Sequence, residues 1–521
     1  MARVLVTEEI AEGGLDRLRA AGHEVDVRLG LSPDELVQAL PGAHALVIRS
    51  ATKVTAEALA AGGDLVVVGR AGIGLDNVDV EAATARGVMV VNAPQSNVLS
   101  AAEHTMALLL SQARNVPQAH AALKDGRWER SKWEGVELAD KTLGIVGLGR
   151  IGKLVAQRAL AFGMKLVAYD PFVAPDRARQ LSVDLVDLET LVQRADFVTL
   201  HLAKTKETIG LIGADLLAKA RPGIRIVNVA RGGIVDEAAL ADAIRRGVVA
   251  GAALDVFAEE PTTESPLFAL DEVVVTPHLG ASTREAQDKA GDTIADMVQL
   301  ALAGDFVPFA VNVSAAEASE TLRPFLPLAE RLGRLYASLA GRLPGRLEVE
   351  YRGQLADYDT RILTLSVLKG VFGAVSDQQV TYVNAPQIAD DSGVEVSTSS
   401  SASSDEYVNL VTVRGGDHAI AGTLVGPRGE PRITMIDDLA VDLPPARHLL
   451  VVRNDDRPGM IAAVTTALAE ASVNIDDMRV GHDPDGAASM QVLATTPEVP
   501  AAVQDRLRTV DGIVSVHTLT D

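Results

Sequence analysis

Short apolar runs alternate with helical patterns over most of the first 313 residues. A first series of five runs lies between residues 3 and 94 and reads RVLV, EVDVRL, HALVIRS, LVVVGR and VMVVNAP. A second series of six lies between residues 142 and 279 and reads TLGIVG, KLVAYD, FVTLHL, IRIVNVA, GAALDVF and VVVTPHL. Runs of this length with helices between them are typical of parallel sheets. The pattern therefore predicts an α/β fold with two parallel-sheet domains.

The C-terminal 200 or so residues show different patterns. Residues 317–446 begin with a helical segment and continue into strand-like LEVEYRG and LVTVRGG, which predicts a mixed α+β domain. The serine-rich stretch at 397–406 is either a flexible linker or a surface segment of that domain. From 447 to 521 the order is strand, helix, strand, strand, helix, strand, the βαββαβ unit of a ferredoxin-like domain.

Composition excludes several classes of protein. The 521 residues carry a formal net charge of −22, which repels phosphate backbones and anionic lipids, so we expect neither nucleic acid nor membrane as a partner. The chain has no cysteine and its ten histidines lack metal-ligand spacing, so no metal site is expected. The N-terminus turns acidic after one apolar run, unlike a signal peptide. We therefore expect a cytoplasmic protein.

The segment IVGLGRIGKLV, residues 145 to 155, predicts a dinucleotide site. Gly147, Gly149 and Gly152 satisfy GxGxxG between a predicted strand and a predicted helix, which allows pyrophosphate to approach the helix N-terminus. Asp170 ends the next strand, where a carboxylate binds the ribose hydroxyls, and no arginine follows it for a 2′-phosphate. NAD is therefore favoured over NADP. The alternative is a turn whose glycines serve packing alone.

The late position of these glycines indicates an inserted domain. The first sheet precedes them, and a long amphipathic helix pattern at 284–304 follows the second sheet. The prediction is a discontinuous substrate-binding domain at 1–98 and 286–316, with a Rossmann-like nucleotide domain at 99–285 inserted in it. The remaining bounds are 317–446 for the intervening domain and 447–521 for the last one.

Polar residues follow the strands of the second sheet, where ligands of such folds collect. They are Asp170, His201, Asn228 with Arg231, Asp255 and His278. Hydride transfer needs a group that accepts a hydroxyl proton, a cation that holds the substrate and a carboxylate that orients the base. An imidazole titrates near neutral pH, so His278 is the candidate base, and Arg231 offers a planar fork for a carboxylate. Spacing leaves either Glu260 or Glu259 as the partner of His278.

The motifs GLGRIG, HLAKT, NVARGGIVDE, GAALDVFAEEP and TPHLGAST, in this order, resemble those of the D-isomer-specific 2-hydroxyacid dehydrogenases. The resemblance covers at least residues 3–313. It implies a catalytic triad of Arg231, Glu260 and His278, with His278 as the acid/base. It also implies an NAD site made by the glycine turn and by the ends of later strands: Gly147, Gly149, Arg150, Ile151, Gly152, Asp170, Val229, Ala230, Asp255, Gly280 and Ala281.

Within that family, the segments VIRSATKVT and GRAGIGLDNVDVEAATARGVMVVNAP resemble the long-form members that oxidise 3-phospho-D-glycerate. At predicted strand ends of the first sheet, where we expect such a substrate to be held, lie Arg49, Ser50, Arg70 and Asn92. Another group is either contributed by a neighbouring subunit or serves packing and the surface: Trp128, Arg130 and Lys132. One departure is Ile73, where related enzymes often place a hydroxyl residue near the cofactor.

The last predicted domain resembles an ACT domain, a small-ligand regulatory module. Its signature is RNDDRPGMIAAVTTAL followed by ASVNIDDM. The free N–H groups of the first helix favour a carboxylate there, and the candidate effector ligands are Asn454, Asp456 and Asn474. The alternative is a dimerisation module that binds no ligand. Residues 317–446 resemble the intervening domain of the long-form enzymes.

These resemblances imply NAD-dependent oxidation of 3-phospho-D-glycerate to 3-phosphooxypyruvate, in L-serine biosynthesis, with L-serine as a feedback effector. We expect a homo-oligomer, a tetramer. Two alternatives are a glyoxylate or hydroxypyruvate reductase of the same family and a non-catalytic NAD-sensing protein.

Overall fold

The computed structural model describes residues 1–313, 321–376, 380–404, 407–482 and 488–520. They form four sheets. Five parallel strands make the first sheet, in the order β2-β1-β3-β4-β5. The strands are β1 (Arg3–Val6), β2 (Glu24–Val27), β3 (Ala45–Ile48), β4 (Val67–Arg70) and β5 (Met89–Asn92), and the connecting helices are α1 (Glu12–Ala20), α2 (Pro33–Ala39), α3 (Ala56–Ala61) and α4 (Val80–Ala85). The central strands are apolar on both faces because helices cover both.

Two helices lead from the first sheet to the second: α5 (Val98–Ala113) and α6 (Val116–Lys124). The second sheet is also parallel and has the order β12-β11-β10-β9-β6-β7-β8. Its strands are β6 (Thr142–Val146), β7 (Lys165–Tyr169), β8 (Asp184–Leu185), β9 (Phe197–Leu200), β10 (Ile224–Asn228), β11 (Val249–Leu254) and β12 (Val273–Val275). Its helices are α7 (Arg150–Ala161), α8 (Pro175–Gln180), α9 (Leu188–Arg194), α10 (Ala214–Leu217) and α11 (Glu237–Arg245). The two-residue edge strand β8 is too short for periodicity to predict.

Helix α12 (Arg284–Ala303) returns the chain to the first sheet. It begins at an N-cap, where the hydroxyl of Thr283 accepts a hydrogen bond from Ala286 N–H. A Cβ on Gly69 of β4 would lie 2.8 Å from Ile294 of α12, so glycine allows this close approach. The second sheet thus lies, in sequence, between two parts that pack together. The domain bounds given above remain predictions.

The third sheet is mixed and has the order β14-β13-β15-β16-β17-β18. Its strands are β13 (Arg346–Gly353), β14 (Glu395–Ser401), β15 (Asn409–Gly415), β16 (His418–Val425), β17 (Glu430–Ile436) and β18 (Leu439–Leu443), accompanied by α13 (Phe325–Ala340), a 3₁₀ turn (Gln354–Asp357), α14 (Arg361–Gly373) and α15 (Ala385–Asp391).

The linker interpretation of the serine-rich stretch is wrong for residues 397–401. They belong to edge strand β14, which pairs in parallel with β13. Val396 of this strand packs against the core, and Ser399 donates a hydrogen bond of 3.2 Å to Glu348. Pairing with β13 satisfies the backbone hydrogen-bonding groups along one edge of β14, so a polar composition does not prevent a strand here. Residues 405 and 406 lie outside the described residues.

The fourth sheet is antiparallel and has the order β20-β21-β19-β22. Its elements are β19 (His448–Asp455), α16 (Met460–Glu470), β20 (Asn474–His482), β21 (Ala488–Thr496), α17 (Ala501–Arg508) and β22 (Ile513–Thr520), the predicted βαββαβ order. One face packs on α16 and α17. The other face shares a core with α13 and the third sheet, which the sequence did not indicate.

The predicted fold class is therefore confirmed, with two parallel α/β sheets, a mixed α+β unit and a ferredoxin-like unit. None of the helices in the described parts of the chain is long and apolar enough to cross a membrane.

Candidate active site

The candidate site lies between the two parallel sheets, and we call it the crevice. It is lined by residues at or after the ends of strands of both sheets: Arg49, Arg70, Arg231, Glu260 and His278. Two contacts join its sides. Asp76, which follows β4, forms an ion pair with Arg231, which follows β10. The guanidinium of Arg150, at the start of α7, donates a hydrogen bond of 3.1 Å to the Pro94 carbonyl.

His278 and Glu260 form a close hydrogen-bonded pair in the crevice. Nδ1 of His278 lies 2.6 Å from Oε2 of Glu260, while Oε1 accepts a hydrogen bond of 2.8 Å from Phe257 N–H. Burial raises the pKa of Glu260, but the bonds from His278 and Phe257 outweigh it and hold that pKa below its ordinary value. The contact falls on Glu260 and not on Glu259, whose side chain is exposed.

The backbone of His278 is held in an unusual conformation. Its φ of 55° lies in the left-handed region, which a residue other than glycine rarely adopts. Asp255, at the end of β11, fixes it: His278 N–H donates to the Asp255 carbonyl at 2.8 Å. The Asp255 carboxylate accepts bonds from Leu279 N–H at 2.7 Å and from Gly280 N–H at 2.8 Å. The loop that carries the imidazole is therefore rigidly tied to a buried carboxylate.

Two further side chains reach Asp255, whose own side chain is completely buried. Thr276 donates a hydrogen bond of 2.6 Å, and Nε2 of His104 lies 3.2 Å away. Burial raises the pKa of Asp255, but these bonds and those from the loop hold it below its ordinary value. The sequence analysis missed His104, because it lies inside helix α5 with no local signal.

Arg231 is oriented by its neighbours on three sides. Its Nε donates to Oδ2 of Asp76 at 3.2 Å, and its Nη1 donates to the Ala230 carbonyl at 2.7 Å. The amide of Asn228 accepts from Ala230 N–H and donates to the Arg231 carbonyl, both at 3.0 Å. The planar fork is thus held in one orientation for an anionic partner.

Three cations gather on the crevice, although the chain as a whole is acidic. Burial, followed by the charge of Arg231, lowers the pKa of Arg70 to about 10, while Asp76 and Glu8 act in the opposite direction. The Nε of Arg70 also donates to the Arg49 carbonyl at 3.2 Å. Like charges held this close favour an anionic ligand between them.

Glu8 fixes the loop that carries Arg49, a role that the sequence analysis missed. Its carboxylate accepts four backbone N–H bonds, those of residues 49, 50, 51 and 52, at 2.8 to 3.1 Å. Burial raises the pKa of Glu8, but these bonds outweigh it and hold that pKa below its ordinary value. The strand-end rule applied to β1 would have found this acid.

The other predicted substrate residues lie differently. Ser50 is exposed next to Arg49. Asn92 is 8% exposed, and its amide donates a hydrogen bond of 2.6 Å to the Ile73 carbonyl. Asn92 therefore supports the loop after β4 from inside the protein. The carbonyl in that contact belongs to Ile73, and whether Ile73 meets the cofactor stays a prediction.

The glycine turn has the geometry of a dinucleotide site. Gly147 has a φ of 95°, and a Cβ on Gly152 would overlap the Gly147 carbonyl oxygen, so both positions require glycine. A Cβ on Gly149 would meet no atom within 4 Å, which leaves open space over the helix N-terminus. Asp170 accepts bonds from Leu148 N–H at 2.8 Å and Phe172 N–H at 2.9 Å. The turn therefore fits NAD.

The remaining predicted cofactor residues lie in α7 or after strands of the same sheet. Ile151 is half-buried in α7, Val229 and Ala230 follow β10, and Gly280 and Ala281 follow His278. His201 follows β9, and its Nε2 lies 3.1 Å from the Thr199 hydroxyl. Burial lowers the pKa of His201 to about 3, so the imidazole is neutral at physiological pH.

The residues predicted to face a neighbouring subunit are on the surface of this chain. Trp128 is 81% exposed. Arg130 is also exposed, and Lys132 forms an ion pair of 3.1 Å with Asp271 and lies over the Trp133 ring. Exposure agrees with either of the two roles considered above, so the choice between them stays open.

Two of the predicted effector residues, Asn454 and Asn474, form hydrogen bonds with different neighbours. Asn454 is 2% exposed and accepts a hydrogen bond of 2.9 Å from Gln491. Asn474 is exposed and donates to Asp476 at 2.7 Å, and Asp456 is exposed. Within the described ranges, no group of three His, Asp or Glu side chains has a metal-binding arrangement.

Comparison with known proteins identifies the family. Three family models match: the D-isomer specific 2-hydroxyacid dehydrogenase NAD binding domain at 106–280, the D-3-phosphoglycerate dehydrogenase intervening domain at 321–437 and the ACT domain at 448–512. The D-3-phosphoglycerate dehydrogenase of Mycobacterium leprae is 49% identical over 511 residues, which cover 97% of this chain and 96% of the relative. The chain belongs to the D-3-phosphoglycerate dehydrogenase family.

Solved structures of other proteins resemble more than half of this member of the D-3-phosphoglycerate dehydrogenase family. The TT0316 protein of Thermus thermophilus is 38% identical with a TM-score of 0.56, covering 59% of this chain and 99% of its own. D-lactate dehydrogenase of Aquifex aeolicus, solved with NAD and lactic acid, is 27% identical with a TM-score of 0.53, covering 58% and 96%. The cofactor domain is an NAD-binding domain.

Proposed function

We propose that this chain is an NAD-dependent dehydrogenase that oxidises 3-phospho-D-glycerate to 3-phosphooxypyruvate, in the phosphorylated route to L-serine. The observation that carries the proposal is the gathering of three arginines beside a His–Glu pair in an acidic protein. A substrate with a carboxylate at one end and a phosphate at the other matches these charges. Relatives named D-3-phosphoglycerate dehydrogenase are similar to this chain over nearly its full length, which supports the same substrate.

The proton is moved by His278. Its Nδ1 is bound to Glu260, which leaves Nε2 to accept the hydroxyl proton of the substrate. The Glu260 carboxylate stabilises the imidazolium that results. NAD held at the glycine turn would supply the acceptor for the hydride on the carbon that bears this hydroxyl. After turnover the imidazolium releases its proton to water, which restores the base.

Substrate orientation is assigned to the arginines. Arg231 follows β10, the strand next to β11 and β12, after which Glu260 and His278 lie. Arg231 binds the substrate carboxylate and the adjacent oxygen. Arg49 and Arg70, on the first sheet, bind the phosphate, with Ser50 beside them. Asn92 acts indirectly through the Ile73 carbonyl. Binding across the crevice places the reacting carbon between base and cofactor turn.

The cofactor is held by the glycine turn and its neighbours. Asp170 binds the ribose hydroxyls, and the N–H groups of the turn around Gly149 bind the pyrophosphate. The open space over Gly149 and the orientation of Asp170 by two backbone N–H groups support this assignment.

Regulation is assigned to the ACT domain, with L-serine as the effector and Asn454, Asp456 and Asn474 as its ligands. The ACT match supports an amino-acid effector. Coupling to the crevice requires L-serine to prefer one arrangement of subunits, at about 1 to 3 kcal/mol. We propose a homotetramer in the cytoplasm as the working form.

The test follows NADH formation by the purified chain with 3-phospho-D-glycerate, D-glycerate and D-lactate, each with and without L-serine. We expect rapid turnover of the first substrate alone and its inhibition by L-serine. Equal rates with all three substrates would contradict the substrate assignment. An unchanged rate and affinity at saturating L-serine would contradict the regulation, with the catalytic assignment intact.

A further inference from the structure

The ion pair between Asp76 and Arg231 crosses the crevice. Asp76 belongs to the loop that follows β4 of the first sheet, and Arg231 follows β10 of the second. Oδ2 of Asp76 lies 3.2 Å from Nε of Arg231, with side-chain exposures of 56% and 27%. This contact between side chains is not part of the backbone hydrogen bonding of either sheet. It is therefore a link between the two sides of the site.

The loop after β4 is shaped to fit the cations. A Cβ on Gly72 would overlap Nη1 of Arg70, and a Cβ on Gly74 would overlap Nη2 of Arg231 and lie 2.9 Å from Oδ2 of Asp76. Neither glycine has a positive φ. A side chain at either position would push a guanidinium group aside, so the loop lies close against both arginines.

Asp76 also balances charge in that unit. Arg231 and Arg49 both disfavour the charged form of Arg70, whereas Asp76 favours it. Asp76 thus offsets part of the repulsion that Arg70 experiences, and Glu8 acts in the same direction. A substrate carboxylate on Arg231 would supply the same negative charge at the same place.

The edge of Arg231 that Asp76 uses is the important detail. A guanidinium binds a carboxylate through two parallel N–H groups, and the Nε–Nη2 edge is one of two edges that allow this. Asp76 lies on Nε of that edge, while Nη1 is already bound to the Ala230 carbonyl. A carboxylate that binds the Nε–Nη2 edge must therefore displace Asp76.

We propose that Asp76 is the internal counter-anion of Arg231 and competes with the carboxylate of the substrate for this guanidinium. The inference rests on the proposed role of Arg231 and adds a residue that sets how tightly the site holds anions. Asp76 keeps the cations paired between turnovers, and it returns to Arg231 as the product carboxylate leaves. It is a positioning residue and does not take part in proton transfer.

The test measures binding of oxalate, a small dicarboxylate, to the enzyme–NADH complex by calorimetry. Asp76→Asn keeps the size of the side chain and removes its charge. Asp64→Asn is the matched control, since it removes one charge from an exposed acid of the same sheet, before β4. Asp76→Glu restores the carboxylate. Melting temperatures establish that each variant is folded.

We expect Asp76→Asn to tighten oxalate binding about two- to fivefold, the range of a partly exposed ion pair. Asp64→Asn and Asp76→Glu should bind as the wild type does. In an Arg231→Gln background the effect of Asp76→Asn should disappear, because the shared partner is gone. With substrate, KM should fall and kcat should change less.

Unchanged or weaker oxalate binding by a folded Asp76→Asn variant would overturn the inference. So would an equal gain in Asp64→Asn, since that would reflect net charge alone. Oxalate binding needs no turnover. A wild-type protein that does not oxidise 3-phospho-D-glycerate, yet shows the expected binding changes, would defeat the proposed function and leave the inference standing.

Discussion

The crevice and the ACT domain both present polar residues beside strand ends, yet their contacts differ. In the crevice the candidate residues bind one another: Glu260 holds His278, and Asp76 holds Arg231. In the ACT domain Asn454 is buried against Gln491, while Asn474 pairs with a neighbour on its own strand. Chemistry needs groups that are already held in place. An effector site needs less of this pre-positioning. The observed contacts support the crevice assignment more strongly than the effector assignment.

The largest effect is expected at the base. His278→Ala removes the proton acceptor, and kcat should fall by about two to four orders of magnitude. Steady-state NADH formation measures the loss. His120→Ala, on the exposed side of α6, is the matched control. A His278→Ala variant with the full rate would contradict the mechanism.

The core that joins the two C-terminal units should be the next most sensitive region. Leu332 of α13 is completely buried in the core shared by the third and fourth sheets. Leu332→Ala should lower the free energy of unfolding by about 2 to 5 kcal/mol and destabilise both units together. Chemical denaturation measures this, with exposed Val375→Ala as the control. Separate unfolding of the two units would show that α13 does not couple them.

Glu260→Gln tests the orientation of the base. We expect kcat to fall by about one to two orders of magnitude, since the imidazolium loses its charged partner. Glu259→Gln, at the adjacent exposed position, should leave the rate unchanged. A slow Glu259→Gln variant together with a fully active Glu260→Gln variant would instead make Glu259 the partner of His278.

The same variant gives a prediction on pH. The folded-state pKa of Glu260 lies below its ordinary value of 4.5, so its charged form adds stability above pH 4.5. That contribution is lost as the pH falls through the lowered pKa. The difference in melting temperature between wild type and Glu260→Gln should therefore shrink as the pH falls below 4.5 and vanish in acid. A difference that grows in acid would contradict this sign.

The smallest structural effect is expected at Asn474. Because its side chain is exposed, Asn474→Ala should change the free energy of unfolding by less than about 0.5 kcal/mol. It should nevertheless abolish inhibition by L-serine if Asn474 is a ligand of the effector. Asp505→Ala, on exposed α17, is the control. Inhibition that persists unchanged in Asn474→Ala would remove this residue from the effector site.

Periodicity predicted the sheets because apolar runs and glycine turns are local signals. It found His278, Arg231 and Asp255 for the same reason, since each lies within three residues of a strand end. His104 and Asp76 were missed because their partners are distant in sequence: Asp255 is 151 positions from His104, and Arg231 is 155 positions from Asp76. The serine-rich strand β14 was ambiguous because its strand state depends on pairing with β13.

The shared core of the C-terminal units was also invisible in the sequence. The apolar residues of β19 predicted a strand, and alternate ones face α16 or α13. A strand buried on both faces gives one continuous apolar run, which does not say what covers each face. The effector residues remain a prediction for a related reason, since no local pattern specifies which of them meet.

Discrimination by Arg70 tests the central claim, that the crevice recognises a substrate with two anionic ends. The measurement is kcat/KM for 3-phospho-D-glycerate divided by that for D-glycerate, in wild type and in a folded Arg70→Met variant. Loss of a largely buried cation should lower this ratio by about two orders of magnitude, with a much smaller change for D-glycerate itself. An equal loss for both substrates would contradict the assignment of the phosphate to this arginine.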